Sequence, residues 1–186
     1  QLLAGVHIAA AAEAMALALR ADPNDPAILR GAAFVAQSAG RWDEALANLE
    51  RAQRLDRRST AALGALAEQF LRMRRYPEAT RASTEGLALE PGDLNAVLTG
   101  VMIPLAQGDL TGARALVTRS FASIPEPTLV AHLSYYYDLY WVLDDRQEEL
   151  LLRLPLSAFF DDRSVRGSVF MQTLWLRGDR GRARVF

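Results

Sequence analysis

Apolar positions recur along this chain at the three-and-four spacing of amphipathic helices, and turn residues interrupt the pattern at regular intervals. Leu29, Ala32, Ala33 and Ala36 form one apolar stripe, and Leu63, Leu66, Ala67 and Phe70 form another. Each is followed by a shorter stripe of smaller residues, Ala45, Leu49 and Ala52 in the first case and Ala79, Ser83 and Gly86 in the second. Small residues let two helix backbones approach closely, and the large side chains of Trp42, Tyr76, Leu63 and Phe70 are expected to fill the space around them. Asp25-Pro26 supplies a cap and a first-turn proline, and Pro77 starts a helix in the same way. Gly40 and Gly108 end helices, while Asp93 and Asp109 are placed to cap the ones that follow. Pro104 falls inside a predicted helix, where the missing donor costs ~3 kcal/mol in an ideal helix, and predicts a kink or an early end. The apolar, Ala-rich run Gln1–Leu19 carries His7 and Glu13. A carboxylate in mid-span is expensive in a bilayer, so this run reads as a buried amphipathic helix.

These elements repeat. Ala45, Ala79 and Ala113 are 34 residues apart, and so are Trp42, Tyr76 and Leu110 three positions earlier. Gly40, Arg74 and Gly108 form a further column, and Pro23, Arg57, Pro91 and Pro125 another. The units are 26–59, 60–93 and 94–127. Ahead of them, Ala11, Met15, Ala18 and Pro23 suit the second helix of a partial unit over 1–25. A degenerate unit over 128–163 would have Thr128–Leu143 as first helix and Arg146–Leu154 as second, with a small insertion in 154–162. A truncated unit over 164–186 would hold a first helix at Val165–Arg177 and the start of its partner at Gly181–Phe186. A chain that opens on Gln1 and stops within a helix start is expected to be a piece of a longer protein.

The 34-residue helix–turn–helix period, with Ala in the second helix and Pro near the end of the unit, resembles the tetratricopeptide repeat (TPR) family, most clearly over 26–127. The resemblance implies an all-α fold, a right-handed superhelical solenoid of antiparallel helix pairs, because one pair cannot bury its apolar face and stacked neighbours can. It also implies that first helices line a concave face, a preorganised groove for a protein or peptide segment. By register, the groove residues are Arg30, Phe34 and Gln37 from the first full unit, Glu68 and Arg72 from the second, Met102 from the third, and His132, Tyr136 and Tyr140 from the fourth. Tyr136 and Tyr140, four apart on the predicted helix, share a face. Some TPR domains grip a terminal carboxylate with Lys and Asn; here Phe34 stands where that clamp wants Asn and the chain has no Lys, so the clamp is not supported. Truncation of Trp42 or Phe70 to Ala should cost ~3–5 kcal/mol if both are fully buried.

Composition narrows the chemistry. The 186 residues include no Cys, so thiolate catalysis, thiolate metal sites and disulfides are absent. All 21 basic residues are Arg, which removes Schiff-base lysines and the phosphate-loop lysine. A net charge of −1 gives no global attraction to nucleic acid, and acids are interleaved with the Arg runs at 51–58 and 72–75. His7 and His132 fit no metal spacing. Asp144, Asp145, Glu148 and Glu149 read as acids at a helix start, and Gly178–Gly181 as an inter-helix turn. The expectation is a non-catalytic scaffold, not an enzyme, with a protein or peptide partner, no cofactor, no metal, no nucleic acid and no membrane insertion. Self-association through the open solenoid ends is a further expectation. The alternative is a regulatory or substrate-presenting arm of a larger bacterial enzyme or signalling protein, such as a kinase, cyclase or transferase. The default compartment is the cytoplasm, with the periplasm as the other option.

Overall fold

The structure, a computed structural model, describes residues 2–136 and 139–184, with side chains described from Ala10 onward. It is all-α: the described residues form eleven α-helices and two 3-10 turns, with no strand. Two compact units divide between Ile103 and Pro104.

The first unit holds α1 (Leu2–Ala21), α2 (Pro26–Ser38), α3 (Trp42–Leu55), α4 (Thr60–Arg72), α5 (Tyr76–Leu89) and most of α6 (Leu94–Ala106). The cap chemistry read from the sequence operates here. The Asp25 carboxylate accepts from the Ala27 and Ile28 amides at 2.6 and 3.3 Å, with Pro26 at the first helical position. Asp93 accepts from the Asn95 and Ala96 amides. Each satisfies donors that a helix start leaves orphaned. The two stripes bury Ala33, Ala36, Ala45, Leu49, Phe70 and Ala79 in one core. Met15 of α1 lies where a Cβ on Gly31 would stand, its Cε 2.8 Å from that point, so α1 and α2 depend on a glycine at their contact. Trp42 departs from expectation. It is 41 % exposed, because it is the first residue of α3 and lies at the rim of the turn, so its truncation cannot cost what a fully buried ring costs. Phe70 is buried as expected.

The polar group that ties this unit together was not legible beforehand. Gln69 is fully buried in α4. Its Oε1 accepts from Gln37 Nε2 of α2 at 2.7 Å, and its Nε2 donates to the Trp42 carbonyl of α3 at 2.9 Å. One amide thus joins three helices, and burial makes loss of either bond expensive.

Pro104 does not end α6 early. The helix runs to Ala106, and Gly108 then takes φ 77°. The helix continues for two residues past Pro104, without the ladder bond that an amide there would donate to Gly100.

The second unit continues with α7 (Leu110–Ser120), α8 (Glu126–Ser134), α9 (Asp145–Leu151), α10 (Arg163–Leu176) and α11 (Arg180–Ala183). Asp109 caps α7 through the Gly112 amide at 2.8 Å. Ala113 is fully buried, as Ala45 and Ala79 are in the first unit. The acids at 144–149 do open a helix: Asp144 and Gln147 form a capping box at the start of α9.

The predicted helix Thr128–Leu143 is corrected. It stops at Ser134, and a 3-10 turn follows at Tyr140–Val142. Leu139, Tyr140, Val142 and Leu143 are all buried. An α-helix packed on one side cannot send four of five consecutive side chains inward, whereas an irregular segment can. Arg114 holds this segment to α7 by donating to the Val142 and Leu143 carbonyls at 3.1 and 3.3 Å. The expected second helix Arg146–Leu154 is likewise shorter, ending at Leu151. The insertion at 154–162 becomes a 3-10 turn over Leu156–Phe159, followed by Phe160 and Asp161, both at φ 56°.

Candidate functional site

In the first unit, α2 and α4 lie side by side, joined by the Gln37–Gln69 bond. Their buried stripes leave the opposite positions open. Phe34 on α2 is 69 % exposed, with Arg30 half-buried one turn before it. On α4 the corresponding positions, 34 residues on, are Gly64 and Glu68. A Cβ on Gly64 would meet nothing within 4 Å, so that part of α4 faces open space. Glu68 accepts from Arg72 at 2.5 Å, an exposed i,i+4 pair worth under about 1 kcal/mol. Such a pair is readily exchanged for a partner's charges. Met102 holds the same register position on α6 and is half-buried. Gln37 is committed to the inter-helix bond and half-buried. The face of this unit therefore presents an apolar ring, an arginine, an uncovered glycine and a neutralised charge pair.

In the second unit, His132 and Tyr136 are brought together, with ring centroids 5.8 Å apart, and Tyr136 is 43 % exposed. Tyr140 is not with them. It is 2 % exposed, because the helix expected to carry both tyrosines ends before either. Its hydroxyl lies in the interior near Thr173 and Glu148, and burial pushes the phenol well above its ordinary range. Burial also raises Glu148, opposed by the nearby Tyr140 hydroxyl and by the Arg177 guanidinium, 3.7 Å away. This cluster holds α9, α10 and the 3-10 turn together. Tyr137 and the side chain of His7 lie outside the described residues.

A cleft that the sequence reading did not find opens between α8 and α10. Its volume is about 440 Å³, and Tyr135, Phe160, Ser164, Val165, Ser168 and Gln172 are prominent in its lining. The Tyr135 hydroxyl donates to the Ala158 carbonyl at 2.5 Å, fixing the insertion against α8, and burial raises this phenol too. The Phe160 ring, 76 % exposed, lies against Tyr135 at 5.2 Å between centroids. The signal available in the sequence was the polar row Ser164, Ser168, Gln172, spaced four apart along one helix.

Among the described residues no three His, Cys, Asp or Glu side chains are grouped to hold a metal ion. No described helix is long and apolar enough to cross a membrane. What both faces can do is hold a ligand through aromatic contact, hydroxyl and amide hydrogen bonds, and arginine.

No family model matches the sequence, and no curated protein matches it. Solved structures do. A thermophilic TPR protein from Thermus thermophilus superimposes with a TM-score of 0.68 at 19 % identity, covering 94 % of this chain and 94 % of that one. PilW, a widely conserved type IV pilus biogenesis factor, gives 0.67 at 19 % identity, covering 97 % and 83 %. YrrB, a TPR protein with an unusual peptide-binding site, gives 0.54 at 16 % identity, covering 92 % and 88 %. The fold is that of the tetratricopeptide repeat proteins.

Proposed function

We propose that this chain is a non-catalytic scaffold that binds a protein or peptide segment on the open faces of its first helices. The observation that carries the reading is Phe34, a large apolar ring held two-thirds exposed on a helix beside Arg30 and the uncovered Gly64. Aromatic and arginine side chains are the groups that anchor interfaces. A fixed helical face also saves the ordering entropy that a flexible one would lose on binding. In the second unit Tyr136 offers a comparable anchor. A protein of like fold, YrrB, is described as having a peptide-binding site, which supports the same use here. The residues that serve are Arg30, Phe34, Glu68, Arg72 and Met102 in the first unit and His132 and Tyr136 in the second. Gln37 serves as the strut that sets α2 against α4, and Tyr140 as core.

The test is selection of a random seven-residue peptide display library on the whole chain. Enriched peptides, remade and labelled, are expected to bind the native chain and to lose at least tenfold in affinity for the double variant Phe34→Ala, Tyr136→Ala. Both rings are exposed, so the unfolding midpoint should barely move. Arg81→Ala, on the solvent side of α5, should bind as the native chain does. Unchanged affinity in the double variant refutes the reading.

A further inference from the structure

We propose that the cleft between α8 and α10 is a specific subsite for an uncharged, extended peptide segment that inserts one bulky apolar side chain, leucine or phenylalanine, against the Tyr135–Phe160 wall. The proposal rests on the peptide-binding reading above and adds where the peptide lies and what it must contain.

The size is right for a ligand group. About 440 Å³ falls within the roughly 300–1,000 Å³ of small-ligand pockets. The chemistry is that of a neutral site. Among the described residues no charged side chain lines the cleft. Of the charged residues beside it, Asp162 caps α10 through the Ser164 and Val165 amides, and the Arg166 guanidinium lies over the Phe170 ring at 4.6 Å. A charged anchor would lose water against the Tyr135–Phe160 wall, and no charged side chain among the described lining residues would repay it.

One side of the cleft is a row of unused hydrogen-bonding groups. Thr173 and Ser134 spend their hydroxyls on backbone carbonyls, of Val169 and Ala131. The side chains of Ser164, Ser168 and Gln172 make no such bond among the described residues. They recur every four residues along α10, a rise of about 6.0 Å per step. An extended chain repeats every two residues at about 6.6 Å. Over two steps the mismatch is about 1.2 Å, which the reach of the Gln172 side chain absorbs. Peptide groups facing α10 can therefore meet these three side chains in turn, while a side chain of the intervening residue enters the cleft. A polyproline segment, with its repeat of three, would fall out of step.

The opposite wall is held at a conformational cost. Phe160 and Asp161 are consecutive residues at φ 56° without a glycine between them, each disfavoured by roughly 1–2 kcal/mol. Their neighbours impose it. Phe159 is buried, with its ring edge-on to Phe170 at 5.7 Å, and Asp162 is bound to the start of α10. The result is an aromatic side chain aimed outward over the cleft, where nothing in the core requires it.

The experiment repeats the library selection with Ser168→Trp, which fills the cleft from an exposed position of α10, and with Ser164→Ala, Gln172→Ala, which removes the polar row without adding bulk. Circular dichroism should show both variants folded as the native chain is. A set of enriched peptides is expected to be uncharged around a central leucine or phenylalanine. These should lose at least tenfold in affinity for Ser168→Trp and several-fold for the double alanine variant, and should bind Arg81→Ala normally. Peptides that keep their affinity for Ser168→Trp but lose it for Phe34→Ala, Tyr136→Ala overturn the subsite and leave the broader reading standing. Peptides sensitive to Ser168→Trp but anchored by a charged residue overturn the assigned ligand chemistry. Failure to enrich any peptide overturns both readings.

Discussion

Replacing Arg74 with glycine should make the chain more stable, although it deletes a long side chain. Four first helices end in the same geometry. The amide of the residue after the left-handed position donates to the carbonyl five residues back, Arg41 to Ala36, Arg75 to Phe70, Asp109 to Pro104 and Asp179 to Leu174, at 2.8–2.9 Å. The left-handed residue itself is Gly40 at φ 74°, Arg74 at 58°, Gly108 at 77° and Gly178 at 77°. Three positions use the residue that has no Cβ to clash, and one does not. The left-handed conformation costs an L-residue roughly 1–2 kcal/mol. Glycine also makes the unfolded chain more flexible, which offsets about 0.4–1 kcal/mol of the gain. The net expectation for Arg74→Gly is stabilisation by about 0.5–1 kcal/mol, or roughly 1–4 °C in the unfolding midpoint for a chain of this length. Two controls isolate the cause. Arg74→Ala keeps the Cβ and should shift the midpoint little, since the Arg74 side chain makes no ion pair or ring contact among the described residues. Gly40→Ala should destabilise by about 1 kcal/mol through backbone conformation alone, because its Cβ would touch nothing within 4 Å. Thermal melts followed by far-ultraviolet circular dichroism give all three. If Arg74→Ala stabilises as much as Arg74→Gly, the side chain is the cause and the backbone argument fails.

Two further outcomes follow from the second unit. Tyr140→Ala should destabilise by about 3–5 kcal/mol in denaturant unfolding, because the ring is buried; a variant that unfolds like the native chain would put Tyr140 back on the surface. Glu148→Gln should stabilise the chain at neutral pH, and the advantage should disappear on acidification. Burial raises the folded-state pKa of Glu148, so protonation favours the folded state, and the native chain loses stability as pH rises through that value. Urea midpoints of both proteins between pH 4 and 8 check the sign; a native chain more stable than the variant at pH 7 would show that the Arg177 pairing outweighs burial.

Much of the architecture was written in local chemistry. The 34-residue period, the capping aspartates and the terminal glycines each act within a few residues of themselves, so the helices from α2 to α7 follow from sequence. The exposed register of Phe34, Glu68 and Arg72 was readable for the same reason, since periodicity names the face a helix leaves open. Gln69 was not readable, because a glutamine at a stripe edge becomes a strut only when Gln37 and the Trp42 carbonyl, both distant in sequence, arrive beside it. The end of α8 was decided the same way. Residues 128–143 carry an acceptable helical pattern, but the second unit buries Leu139, Tyr140, Val142 and Leu143 together, and the packing of four side chains outweighs a few turns of helix. That choice removed Tyr140 from the surface, while the packing of the insertion exposed Phe160 and left a cleft beside α10. A sequence states what each segment prefers by itself. Competition between those preferences is settled only by the contacts that distant segments make, and this chain's cleft was formed there.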